Sequence, residues 1–346
     1  MIRVGIAGIG FMGWIHYLAY QKISGVQLVA VSEPNAKRLA GDWRDIKGNF
    51  GPPGEMVDLS DVAQYADYQQ MLEDPNVDLV DLCLPPAMHA DAAIAASRAG
   101  KHVFCEKPMA LNPADCDRMV AAAAEANKLL FIGHVLPYFL EYAHALRIVR
   151  EGTYGRPLGG TFKRVISDPL WIQDFFDPQQ VGGPMLDLHI HDAHYIRLLF
   201  GMPQAVTTRG RMRGEMLEYF NTFFHFADPS MVVSAVSGVI NQQGRPFTQG
   251  FELHLEEATL HFEAGFYEDG AEQMPLKILT KEGQVIRPEL GESDAIGAFV
   301  DEIMEVVASI EAGRPSPTLA GDLARDAVVL CGQQTVSAQS EATVRV

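Results

Sequence analysis

Six residues near the start of the chain, Gly8-Ile9-Gly10-Phe11-Met12-Gly13, form a G-x-G-x-x-G pattern. A short apolar run, Ile2 to Ala7, precedes it, and Ile15, Leu18 and Ala19 follow at helical spacing. In that setting Gly8 permits a tight turn, Gly10 lets backbone approach a pyrophosphate, and Gly13 allows close helix–strand packing. The helix opening here offers unpaired N–H groups and the positive end of its dipole to phosphates, so Phe11 and Met12 count with the glycines as cofactor-binding candidates. Glu33 ends a second strand pattern twenty residues beyond Gly13. That is the place of a carboxylate accepting hydrogen bonds from an adenosine ribose. Glu33 favours NAD over NADP, because a carboxylate repels a 2′-phosphate. Lys37 and Arg38 stand close behind it, either as further cofactor contacts, with Arg38 the candidate, or as the solvated face of the next helix.

A second concentration of polar chemistry is Asp187, His189, His191, Asp192 and His194. On a helix Asp187 and His191 are i, i+4 neighbours and share a face. Adding His194 gives a carboxylate and two imidazoles, a set able to hold a metal ion. No metal is expected, because the glycine loop and the segment around Lys107 already account for a site.

The elements that position these residues change character along the chain. Strand patterns at Gln27–Ser32, Val77–Leu84, His102–Cys105 and Leu129–Gly133 alternate with helical ones at His89–Gly100 and Ala114–Asn127. Such alternation implies a parallel sheet with helices on its faces. Residues 41–60 break the pattern with GNFGPPGE and read as a surface insertion. Beyond a helix at Phe139–Arg150, strand patterns dominate: Gly160–Ile166, Ala205–Arg211, Tyr219–Phe226, Met231–Val239, Phe251–Leu255 and Thr259–Phe262. Several alternate with period two, as antiparallel strands with one covered face do. Helices are expected at Met185–Leu199, Ala295–Ala312 and Leu319–Ser337, and a last strand at Ala342–Val346. The expected fold is an α/β dinucleotide-binding domain over 1–134 and an α+β domain over 135–346, built on a large, mostly antiparallel open sheet.

Composition narrows the function classes. The chain has 346 residues, 48% of them hydrophobic and 21% charged, which suits about two globular domains. Its net charge of −17 argues against nucleic acid or an anionic membrane as partner. Cys83, Cys105, Cys116 and Cys331 form no C-x-x-C pair. No apolar run approaches a membrane span, and the first residues are a strand pattern rather than a signal peptide, so a cytoplasmic location is expected.

Gly100-Lys101-His102-Val103-Phe104-Cys105-Glu106-Lys107-Pro108 resembles the EKP segment of the Gfo/Idh/MocA oxidoreductases. Leu84-Pro85-Pro86-Ala87-Met88-His89 is similar to that family's loop after the fourth Rossmann strand, which makes Leu84, Pro85 and His89 cofactor-binding candidates beside Glu106 and Lys107. Gly182-Gly183 followed by Asp187 and His191 resembles its D-x-x-x-H catalytic pair. The resemblance implies a Rossmann domain, Lys107 at the junction of cofactor and substrate, and a homodimer or homotetramer formed through the C-terminal sheet. It also implies hydride transfer between nicotinamide and a sugar or polyol hydroxyl.

Those residues suit that chemistry. His191 can take the hydroxyl proton, because imidazole titrates near neutrality. Lys107 can hydrogen-bond the same oxygen and stabilise developing negative charge. Asp187 can orient substrate or sustain the charge of its neighbours. The chain departs from the family pattern at Pro184, at His189 and after Gly133, where it reads His134-Val135-Leu136-Pro137. Substrate contacts are expected from Asp187, His191, His134 and Trp171. Two other functions compete with a dehydrogenase: a redox-neutral glycosidase-type enzyme that reduces NAD transiently, and a non-catalytic nucleotide-binding sensor.

Overall fold

The computed structural model describes residues 1–170, 172, 174–291, 294 and 296–346. They fall into two compact units, Met1–Tyr138 with Glu292–Arg325, and Phe139–Gly291 with Asp326–Val346. The break after Tyr138 lies close to the expected boundary. The return of 292–325 to the first unit departs from that expectation, since element order alone does not say which layer a helix packs on.

In the first unit, β1 (Ile2–Ala7), α1 (Phe11–Tyr20), β2 (Val26–Ser32), α2 (Ala36–Leu39), β3 (Ala63–Tyr65), α3 (Tyr68–Leu72), β4 (Leu79–Leu82), α4 (Pro86–Arg98), β5 (His102–Glu106), α5 (Pro113–Glu125) and β6 (Leu130–Gly133) follow in turn. The strands form one parallel sheet in the order β3-β2-β1-β4-β5-β6. β4 and β6 are buried at every position, as strands covered on both faces must be. The chain leaves β1 toward β2 on one side and reaches β4 on the other, so a crevice opens at the carboxyl ends of β1 and β4.

Residues 41–60 are not a bland surface insertion. Trp43, Ile46, Val57 and Leu59 are buried. Trp43 packs edge-on to Trp14 and Tyr17 of α1, at ring separations of 5.8 and 4.9 Å. The Trp43 and Trp14 indoles donate to the Arg38 and Pro52 carbonyls. This segment is therefore a second layer over α1, built without helical or strand period.

The second unit continues with α6 (Leu140–Glu151), β7 (Pro157–Ser167), α7 (Ile190–Phe200), β8 (Ala205–Arg213), β9 (Met216–His225), β10 (Val232–Ile240), β11 (Phe247–Leu255), β12 (Ala258–Tyr267), β13 (Gly270–Thr280) and β14 (Val285–Ile286). Then come α8 (Gly297–Ala312) of the first unit, α9 (Gly321–Ser340), within which the chain passes from the first unit to the second, and β15 (Val344–Arg345). Nine strands form an open sheet, ordered β14-β13-β12-β11-β7-β10-β9-β8-β15, in which only β7 and β10 pair in parallel among the described residues. Tyr142 of α6 and Tyr195 of α7 meet Phe162, Phe251 and Phe262 on one sheet face. Burial of each such ring stabilises by about 2–3 kcal/mol, with edge-to-face contacts adding to it. From the opposite face Phe223, Val232 and Leu279 project, each more than a third exposed. No helix among the described residues is long and apolar enough to cross a membrane.

Candidate active site

The glycine loop has the geometry its pattern demands. Gly8 has φ +93°, and a Cβ there would lie 2.5 Å from the Cys83 carbonyl oxygen. A Cβ on Gly13 would lie 2.1 Å from the Gly8 carbonyl oxygen. A Cβ on Gly10 would meet nothing within 4 Å, so the loop is open where a pyrophosphate would come. No side chain caps α1 and no acidic residue lies in its first turn. The amides of Phe11 and Met12 at this end have no partner within the helix and are available to an anion. The residues present fit a dinucleotide.

Glu33 is buried and braces the loop: Oε2 accepts the Ile9 amide and Oε1 the Asn35 amide, both at 2.9 Å. Each oxygen keeps a second lone pair for a ribose hydroxyl. Arg38 donates to the Ile9 carbonyl at 3.1 Å and pairs with Asp45 at 2.9 Å. It is thus a second brace, with its charge already committed to Asp45.

Leu84 and Pro85 follow β4 beside Gly8, with Pro85 exposed. His89 is placed differently from the expectation that it touches the cofactor. It is fully buried, and its two ring nitrogens lie 2.8 Å from the Pro108 and Leu84 carbonyl oxygens. Two carbonyls favour a charged ring, but burial outweighs them and lowers its pKa. A neutral His89 donates to one carbonyl and spans the two loops as a strut.

Lys107 sits immediately after β5, half-buried, on a turn whose Lys107–Pro108 peptide is cis. Glu106 is buried, and its Oε2 accepts the Lys107 amide at 3.0 Å. Glu106 therefore serves the turn before it could serve a cofactor.

In the second unit the expected continuous helix over Met185–Leu199 is broken in type. Pro184–His189 is a π-helical turn and α7 begins only at Ile190. A π turn holds more residues than an α turn, so the i, i+4 alignment of Asp187 with His191 is altered. Such turns are frequent at functional sites. The five polar residues here separate by role. Asp192 is buried in a two-bonded ion pair with Arg164 of β7, at 2.7 and 3.2 Å. His189 is buried against Phe220, with the Gln334 amide 2.9 Å from its Nε2. His194 is fully buried too. Asp187 and His191 alone of the five keep partial exposure.

His134 follows β6 with no exposed surface, the placing of a packed core histidine rather than a pocket wall. Trp171 lies outside the described residues. Two features escaped sequence reasoning. One is a hollow of about 460 Å³ among Asp168, Asp174, Phe175, Phe176 and Arg213, where Arg213 lies 4.1 Å over the Phe176 ring and bonds Asp168. The other is His16, buried between Asp81 and Glu106. His16, Asp81 and Cys83 also stand at metal-ligand spacing, but both His16 nitrogens already face carboxylates.

Residues 2–134 match the oxidoreductase family with an NAD-binding Rossmann fold, and residues 142–261 match the GFO/IDH/MocA C-terminal domain. The chain belongs to the Gfo/Idh/MocA family. Residues 2–134 of its first unit are accordingly an NAD-binding Rossmann domain. Myo-inositol 2-dehydrogenase of Thermotoga maritima is 34% identical over 58% of this chain and 55% of its own length. 1,5-Anhydro-D-fructose reductase of Ensifer adhaerens is 32% identical over 56% of this chain and 59% of its own. The chain thus spans about half the length of the curated relatives it matches. A levoglucosan dehydrogenase solved with NADH and levoglucosan shares the fold across 100% of this chain and 99% of its own, with a TM-score of 0.80 at 22% identity.

Proposed function

We propose that this Gfo/Idh/MocA chain is an NAD-dependent dehydrogenase oxidising a ring hydroxyl of a polyol or sugar. The observation that carries the reading is the placing of the polar residues around α7: Asp192 and His189 are buried in an ion pair and a hydrogen bond of the core, while Asp187 and His191 are half-buried beside a π-helical turn. The inositol and anhydrofructose specificities of the relatives support the substrate class. Arg38 bound to Asp45 and the negative Glu33 beside the loop support NAD over NADP.

Bound nicotinamide supplies the hydride acceptor. His191 takes the proton of the hydroxyl being oxidised. Lys107 donates a hydrogen bond to the same oxygen and stabilises the charge that develops as the proton leaves. Asp187 orients the substrate through a neighbouring hydroxyl. The reading requires all three to address one substrate. Nicotinamide absorbance with NAD or NADP and a panel of inositols, aldoses, amino sugars and sugar acids tests it. Reduction with one substrate class, faster with NAD, supports a dehydrogenase. Tight NAD binding without reduction across the panel overturns it in favour of the redox-neutral or sensor reading.

We further propose that two or four copies associate through the sheet face bearing Phe223, Val232 and Leu279, since exposed apolar side chains on an open face favour a partner. Light scattering on wild type and Phe223→Glu checks this; a monomeric wild type sinks it. A reducing cytoplasm suits the four free thiols.

A further inference from the structure

A buried polar chain inside the first unit has no role in the reading above. It starts at Tyr20 of α1, whose hydroxyl donates to Asp81 Oδ2 at 2.8 Å. The same oxygen lies 2.8 Å from His16 Nδ1, and His16 Nε2 lies 3.1 Å from Glu106 Oε1. The other Glu106 oxygen accepts the Lys107 amide. Four side chains therefore link the helix that follows the glycine loop to the backbone of Lys107. Tyr20, Asp81, His16 and Glu106 are all buried.

The groups facing His16 fix its state. Both ring nitrogens are opposite carboxylate oxygens, which accept and cannot donate when ionised, so both nitrogens must carry protons. Burial opposes that charge, but Asp81 and then Cys83 outweigh it and hold the imidazole pKa well above its usual value. Glu302 of α8, fully buried with neither oxygen hydrogen-bonded, has its pKa pushed well up by burial and by Glu106. That shift favours its uncharged form, and the carboxylate oxygens that face the two ring nitrogens are those of Asp81 and Glu106. The ring stacks on Phe104, 5.3 Å away and tilted by 11°, which fixes its plane. Room for the Glu106 carboxylate is equally specific: a Cβ on Gly133 would lie 3.0 Å from its Oε1.

We infer that His16 is a positioning residue for Lys107: by bridging Asp81 to Glu106 it fixes the carboxylate that holds the Lys107 amide. The inference rests on the dehydrogenase reading for its kinetic consequence, but its structural content stands without it. With the imidazolium absent, Glu106 has no buried cation opposite it, and its carboxylate turns away from the Lys107 amide.

Two variants test this from opposite sides. His16→Gln removes the bridge, and Gly133→Ala crowds the carboxylate while leaving His16 in place. Residue-resolved hydrogen exchange, NAD affinity, and kcat and KM for the best substrate of the panel are read on the full chain. Expected in both variants is Lys107 amide exchange at least tenfold faster, with the Val80 and Ile132 amides unchanged. NAD affinity and substrate KM stay within about threefold, and kcat falls by about 10- to 100-fold. Unchanged Lys107 exchange in both variants overturns the inference. So does exchange rising equally at Val80 and Ile132, which would make His16 a core residue and nothing more. A wild type with no turnover sinks the dehydrogenase reading alone, and the exchange measurement still decides this one.

Discussion

Glu33 receives the Ile9 amide at 2.9 Å, so the acid that ends β2 holds the middle of the loop that follows β1. One carboxylate thus shapes the glycine loop, and in the proposed reading it also presents charge to the ribose of NAD. Glu33→Ala removes both. A hydrogen bond to a charged group contributes about 1.5–3 kcal/mol, so NAD affinity should fall by about 10- to 100-fold. Glu33→Gln keeps an acceptor oxygen for Ile9 but loses the charge, and should shift the NADP-to-NAD preference with a smaller loss for NAD. Nucleotide titrations of both variants check this; equal losses for the two nucleotides would refute the charge argument.

Trp43 gives a prediction opposite to that for a surface insertion. It is fully buried, touches Trp14 and Tyr17, and bonds the Arg38 carbonyl. Trp43→Ala should destabilise the first unit by about 3–5 kcal/mol, where a change in an exposed loop stays within about 0.5 kcal/mol. Urea denaturation followed by far-UV circular dichroism measures it.

What the sequence disclosed follows from how local each signal is. The glycine loop, Glu33 and the EKP turn are short-range patterns whose chemistry depends on neighbours a few residues away. Trp43 was illegible because its partners are set by an aperiodic packing. The π turn at Pro184–His189 was illegible because one extra residue per turn barely disturbs a polar and apolar pattern. His16 looks like an ordinary polar residue on a helix; its partners, Asp81 and Glu106, are 65 and 90 residues away. The placing of α8 in the first unit depends on partners distant in the chain, which its own amphipathic pattern does not name.

Lys107 separates enzyme from sensor. Its amide is held by Glu106, so replacing the side chain leaves that backbone contact in place. Lys107→Ala should keep NAD affinity within a few-fold and lower kcat by about 100- to 10,000-fold, the range for loss of one electrostatic or proton-transfer group. His191→Asn should lower kcat comparably. Retained turnover in Lys107→Ala would remove the lysine from the mechanism.

His189 gives the chain a measurable acid sensitivity. Burial pulls its pKa from 6.5 down to about 4, although Asp192 favours its charged form. Between those values the unfolded chain binds a proton that the folded chain refuses. Stability carried by neutral His189 is therefore complete above about pH 6.5 and is lost as pH falls toward 4, by about 3 kcal/mol in all. His16 does not mimic this, since its raised pKa keeps it protonated through the whole window. Other acid-sensitive groups remain in both proteins, so the comparison with His189→Gln isolates this one. The variant should be less stable than wild type at pH 7, and the gap should narrow by about 3 kcal/mol at pH 4. Urea midpoints at pH 7, 5.5 and 4 read it, and parallel curves for the two proteins would show that His189 takes up its proton without loss of the fold.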